Sequence, residues 1–299
     1  MITYENIKEY HNGKLTVVAP CGVPELDKHI RFKRNFTVIG GSGNVGKTTG
    51  WMAIMFIWAI KFDFNLKFLM FLNENDEDEM AMQMIEWYSG KWITDQSKAE
   101  VMLAIEWVNE HFMFLPNDYS KSLVELLRHF GNIKRGSENQ QQFDFDGVFL
   151  DPYNSIPVPK GYIEHYENAS HFRGFIKKYN VKFMVSMHPN SEAQRKRDEG
   201  GVSAVPHLTS LEHGSMWYNR SDDSVIIHRQ TQIEELKYIT ELHVQKIKHV
   251  RSGGCPTAHN SPILMTWTER LAGRFMFENS GDVVPKKQTP TAKEIEFKD

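Results

Sequence analysis

The stretch "VIGGSGNVGKTTG", Val38 to Gly50, constrains this chain more than any other. An apolar run ends in it, and an apolar helical pattern leaves it. Between them, Gly41, Gly46, Lys47 and Thr48 satisfy the spacing G-x-x-x-x-G-K-[ST]. Glycines let the backbone wrap so that successive N–H groups point inward, and the helix begun near Gly46 adds its positive end. The result is a cradle for phosphate oxygens, formed by Gly41, Ser42, Gly43, Asn44, Val45, Gly46, Lys47, Thr48 and Thr49. Lys47 reaches the β- and γ-phosphates of a nucleoside triphosphate, and the Thr48 hydroxyl is placed to ligand Mg²⁺. The strand before and the helix after argue against a mere turn with an incidental lysine.

Such a loop belongs at the end of a parallel strand, and the remaining pattern agrees. Continuous apolar runs at Phe36–Gly40, Lys67–Leu72, Phe112–Leu115, Gly147–Leu150 and Val181–Ser186 alternate with helical patterns near 47–61, 77–90, 98–110, 121–134 and 164–179. Runs without polar alternation imply strands buried on both faces. After residue 205 the strands are shorter and interrupted by polar residues, which suits an antiparallel extension of the same sheet. The expected fold class is therefore α/β, a mostly parallel twisted sheet with helices on both faces. At 299 residues the chain can bury roughly 75% of its unfolded surface. We expect one core domain over 21–280, a short leading segment over 1–20, and a mobile tail over 281–299.

A triphosphate site needs an acidic residue at a neighbouring strand end to hold Mg²⁺. In "GVFLDP" Asp151 has that position, whereas Asp144 and Asp146 read as solvated turn residues. Hydrolysis also needs a group to activate water. "KFLMFLNEN" ends in Glu74, where the second strand emerges beside the phosphate loop, and Glu74 is the expected base. In the following "NDEDEM", Asp76 and Glu79 read as a helix cap, with Glu77 and Asp78 suited to the first turn.

The formal net charge of −3 excludes a global basic field, so any nucleic-acid site must be local. Cys21 and Cys255, the only cysteines, have no metal spacing and suggest a reducing compartment. The longest apolar stretch, Trp51 to Ile60, is too short for a membrane span. No signal peptide is legible, so a cytoplasmic location is expected, the host cytoplasm if the protein is phage-encoded.

These pieces, in this order, resemble the RecA-fold ATPase core of ring-shaped replicative DNA helicases of the DnaB and Twinkle type, particularly phage members. The resemblance starts at "CGVPELDKHI" (Cys21–Ile30) and passes through the phosphate loop, Glu74 and "LDPYN" (Leu150–Asn154). It continues through "VSMHPN" (Val185–Asn190), "EHGSMWYNRSDDSVIIHR" (Glu212–Arg229) and "VQKIKHVRSGG" (Val244–Gly254), covering about residues 20 to 278. It implies a RecA-like P-loop NTPase that hydrolyses ATP with Mg²⁺ between subunits of a homo-oligomer, a hexamer, and acts as a motor on single-stranded DNA. His188 takes the place of the γ-phosphate sensor. A basic residue of the late motif would complete the neighbour's site, and Lys246, Lys248 and Arg251 compete for it. Family spacing favours Lys246 with Lys248; the guanidinium fork favours Arg251. Family helicases carry an N-terminal domain, whereas only about 20 residues precede the core here, so a separate primase or loader is an expected partner.

In that family, loops after the third motif line the DNA channel. Here the loop "NSEAQRKRDEGGVSAVPH" (Asn190–His207) carries Arg195, Lys196 and Arg197 together, balanced by Glu192, Asp198 and Glu199. Trp217 and Tyr218 read as core or interface rather than as a base-stacking platform. A RecA-type recombinase and a regulatory ATPase of the same superfamily without nucleic acid are the competing functions.

Overall fold

The computed structural model describes residues 20–61, 65–116, 121–137, 141–157, 161–198, 201–212 and 214–285. Six parallel strands form the heart of its sheet: β1 (Phe36–Gly40), β2 (Phe68–Leu72), β3 (Phe112–Leu115), β4 (Gly147–Asp151), β5 (Lys182–Met187) and β6 (Asp223–His228). Their spatial order is β3-β2-β4-β5-β1-β6. Beyond β6 the sheet turns antiparallel through β7 (Ile239–Ile247), β8 (Ile263–Thr268), β9 (Arg274–Phe277) and β10 (Gly281–Asp282).

The continuous apolar runs arise because successive side chains serve two cores. Phe68, Met70 and Leu72 of β2 join one, with Ile39 of β1; Leu69 and Phe71 join the other, with Phe36 and Val38. On the first face lie α1 (Pro24–His29), α2 (Lys47–Lys61), α3 (Glu77–Ser89) and α4 (Lys98–His111); on the second lie α5 (Leu123–Arg135), α6 (Tyr162–Tyr179) and α8 (Gly214–Arg220). The short helices α7 (Ser191–Arg195) and α9 (Val250–Gly253) sit in loops.

Helix α2 leaves the phosphate loop and is buried all round from Gly50 to Ala59. Trp51 meets Trp58 edge to face at 5.8 Å. Each such large side chain contributes about 1.5–3 kcal/mol by burial, which anchors the loop's helical end. Ser97 with Glu100 and Ser122 with Glu125 close reciprocal capping boxes at the starts of α4 and α5. Asp76 caps α3 by accepting from Asp78 N–H at 2.9 Å and Glu79 N–H at 3.1 Å.

Each of the five expected parallel strands is present within one residue of its expected bounds. Three expectations need correction. β6, expected in the antiparallel extension, pairs parallel with β1 (Thr37 with Asp223, Gly40 with Ile226), and the direction changes only at β7. The tail boundary at 281 falls too early: Gly281–Asp282 pairs with β9, and Val283 and Val284 are buried in the first core. The rest of that tail, and residues 1–19, lie outside the described residues. Finally, Asp146 is not simply solvated, because its largely covered side chain pairs with Arg34 at 2.9 Å; Asp144 is exposed as expected and pairs with Lys134 at 2.5 Å.

Candidate functional site

The phosphate loop emerges at the C-terminal end of β1, between β5 and β6. It presses against β6 closely enough that a Cβ on Gly41 would run into the Ile227 carbonyl oxygen. Gly46 enters α2 at φ +83°, a left-handed conformation that glycine adopts at least cost. Above Gly43 the space is open.

Lys47, the first residue of α2, is only 7% exposed. Its ammonium donates to the Ser42 carbonyl at 2.8 Å and lies 3.3 Å from His188 Nδ1. Burial lowers its pKa, opposed by Asp151 and Glu74. Beside it, the Thr48 hydroxyl donates to Asp151 Oδ2, and Asn75 Nδ2 approaches that hydroxyl at 3.4 Å. Asp151 ends β4, with β5 intervening before β1, and Ser186 of β5 fills the gap by donating to Asp151 Oδ1. Burial raises the Asp151 pKa, opposed by these two hydroxyls and by Lys47.

Glu74 stands on the loop after β2, half exposed. Its Oε1 accepts from the Ser155 hydroxyl at 2.8 Å, and its Oε2 lies 3.7 Å from His188 Nε2. The His188 backbone N–H donates to Asn154 Oδ1 at 3.0 Å. Burial, then the neighbouring Lys47 charge, lowers the His188 pKa, which favours the neutral ring. Lys47, Thr48, Glu74, Asp151 and His188 thus converge on one mouth. The donor set fits the groups expected there. A buried ammonium and a glycine cradle suit phosphates, and the hydroxyl–carboxylate pair Thr48–Asp151 offers hard oxygens suited to Mg²⁺.

Arg229, just beyond β6, was assigned no role from the sequence. Its guanidinium donates to the Asn44 carbonyl at 2.9 Å and lies over Gly46, 3.8–4.0 Å from where a Cβ there would be. Its Nε is buried with no partner among the described residues. The available signal was an arginine at the end of a strand; that this strand neighbours β1 is visible only in the fold.

Lys246, Lys248 and Arg251 are not brought to this mouth. β7 runs back against β6, so Ile247 pairs with Asp223 at the opposite end of the sheet. There Lys246 donates to the carbonyls of Tyr218 and Ser221, the latter at 2.8 Å, and lies over the Tyr218 ring. Lys248 pairs with Asp222 at 3.1 Å, and Arg251 is exposed on α9. Trp217 is buried in the second core, whereas its neighbour Tyr218 is 42% exposed.

Arg195, Lys196 and Arg197 close α7 and begin a small hairpin: Arg197 bridges Ser203, and Ala204 N–H donates to the Lys196 carbonyl at 3.2 Å. With Asn190, Pro206, His207 and Thr209, Arg195 and Lys196 line a cleft of about 500 Å³. No group of three or more histidine, cysteine or acidic side chains suited to a metal occurs among the described residues. No described helix is long and apolar enough to cross a membrane.

Among solved structures, the chain is similar to the ATPase domain of G40P, with a TM-score of 0.65 and 15% identity over 91% of this chain and 95% of that one. The two share a fold, an α/β sheet with a parallel core and antiparallel C-terminal strands. The chain is also similar to a DnaB-like replicative helicase, solved in a study of that protein's interactions with primase. That match has a TM-score of 0.64 and 15% identity over 91% of this chain and 67% of that one. Scanned against family models and curated proteins, the sequence finds no match.

Proposed function

We propose that the chain is an ATP-hydrolysing motor on single-stranded DNA that works as a ring of identical subunits, a hexamer. The observation that carries this reading is the convergence of Lys47, the Thr48–Asp151 pair, Glu74 and His188 at the end of β1, within a helicase ATPase fold. In this reading the Lys47 ammonium exchanges the Ser42 carbonyl for β- and γ-phosphate oxygens, and the loop N–H groups hold the remainder. Thr48 and Asp151 are the residues that would hold Mg²⁺, which would supply charge neutralisation. Glu74 Oε2, with Oε1 tied to Ser155, accepts the proton of the attacking water, and His188 reads the γ-phosphate.

The distance of Lys246, Lys248 and Arg251 from their own mouth supports completion of each site by a neighbour. Lys248 is the preferred partner. Mixing a Lys47→Ala protein with a Lys248→Ala protein should restore ATPase activity that neither shows alone, because some interfaces then pair an intact loop with an intact finger. No recovery in mixtures shown to co-assemble would deny Lys248 a trans role; recovery with Arg251→Ala in its place would transfer the role to Arg251.

The DNA half of the reading is tested at the basic hairpin. Neutralising Arg195, Lys196 and Arg197 together should flatten the log–log salt dependence of single-strand binding by about 0.7 per lost phosphate contact, roughly 2 in all. An unchanged slope would remove this loop from the DNA path. An ATPase indifferent to single-stranded DNA would point instead to a regulatory member of the fold. The DnaB-like relative studied with primase suggests the class of partner to seek: a separate primase or loader.

A further inference from the structure

Two consecutive side chains after β6 hold two different functional elements. Arg229 donates to the Asn44 carbonyl of the phosphate loop at 2.9 Å. Gln230 donates to the Ser203 carbonyl of the basic hairpin at 2.8 Å. Ser203 is the residue bridged to Arg197. One peptide unit therefore connects the phosphate loop to the arginine-bearing strand of the hairpin, although the two elements are far apart in sequence.

Gln230 is fixed from behind as well. Its amide nitrogen lies 3.0 Å from His228 Nε2, and burial lowers the His228 pKa, leaving a neutral ring able to accept. In the tautomer whose Nε2 accepts, both amide hydrogens are used, one toward β6 and one toward the hairpin. On the next strand, Glu241 and His243 pair at 2.8 Å, and the His243 ring lies 6.5 Å from that of His228. Gln245 of β7 makes an instructive contrast. It holds the same loop by accepting from Leu208 N–H at 2.7 Å and donating to the Pro206 carbonyl at 3.0 Å, but the residue before it, Val244, is an apolar core side chain rather than a hydrogen-bonding arginine.

The Arg229 guanidinium sits over Gly46, and its buried Nε has no partner among the described residues. A phosphate in the cradle competes with the Asn44 carbonyl for that guanidinium, and any shift of Arg229 moves the backbone from which Gln230 reaches out. We infer that Gln230 is a positioning residue that couples nucleotide occupancy to the basic hairpin, so that ATP binding changes the affinity for single-stranded DNA. This inference rests on the function proposed above. Linkage requires that DNA change ATP affinity by the same factor.

The experiment measures the dissociation constant of a labelled oligo-dT with and without a non-hydrolysable ATP analogue. For the wild-type chain the ratio should lie within about 5–150-fold. Gln230→Met keeps the side-chain volume but removes both donors; Gln230→Glu keeps the length but also loses the donors. Both should bring the ratio close to 1, while affinity for the analogue alone stays unchanged. Gln245→Met should weaken DNA binding equally in both conditions and keep the wild-type ratio. A wild-type ratio of 1, or its persistence in both Gln230 variants, overturns the coupling. So does an equal collapse in Gln245→Met, because Gln230 would then be one loop anchor among others. A wild-type chain that binds no single-stranded DNA under either condition removes the motor reading itself, and this inference with it.

Discussion

Lys47→Ala is expected to abolish ATP turnover, by at least the 10²–10³-fold, roughly, that follows loss of one preorganised donor at a charged transition state. The ammonium is held by the Ser42 carbonyl at 2.8 Å and lies 3.3 Å from His188 Nδ1. Its removal leaves the triphosphate charge without its main protein counter-charge. Because the stem of Lys47 is buried, alanine also opens a cavity, and Lys47→Met separates the two effects by retaining the packing. Both variants should melt cooperatively, and neither should release phosphate from saturating ATP. A Lys47→Met protein that hydrolyses ATP at the wild-type rate would show that the phosphates are held elsewhere.

Glu74→Gln should bind nucleotide normally and hydrolyse it about 10²–10⁴-fold more slowly, the range for a lost general base. The geometry singles out Glu74 among the acids after β2. Asp76 is engaged as the cap of α3, accepting two backbone N–H groups, and Glu77 lies in the first helical turn. Glu74 alone reaches Ser155 and His188. Asp76→Asn should therefore hydrolyse normally, since asparagine caps about as well as aspartate. Single-turnover phosphate release beside analogue binding distinguishes the cases. Normal turnover in Glu74→Gln with loss in Asp76→Asn or Glu77→Gln would assign the base to the other acid.

The elements around the phosphate loop were legible because their determinants are local. Gly46 reports a left-handed φ, the apolar run at 68–72 reports a strand buried on both faces, and Asp76 reports a cap. Each depends on a residue's own neighbours in the chain. Thr48 and Asp151 were also legible as neighbours, despite a separation of 103 positions, because Asp151 closes one parallel strand and Thr48 opens the helix that follows the loop after another, on the edge where such strands gather their loops.

The remaining features depended on which strands became neighbours, and no local pattern encodes that choice. Arg229 touches Asn44 across 185 positions because β6 pairs with β1; had β6 joined the antiparallel extension, as its polar interruptions suggested, that contact would not exist. The placement of Lys246, Lys248 and Arg251 follows from the reversal at β7 and the register shift beside Ser224 and Val225. Alternation along the strand relates Lys246 to its near neighbours but not to either end of the sheet. Val283 and Val284 looked like tail because two valines carry no periodicity, yet they are buried with β9 and α2 in the first core. Backbone conformation and burial pattern are written in short stretches of sequence. Strand neighbourhood is a balance of many weak contacts over the whole sheet, and in this chain it decides which side chains share the mouth at the end of β1.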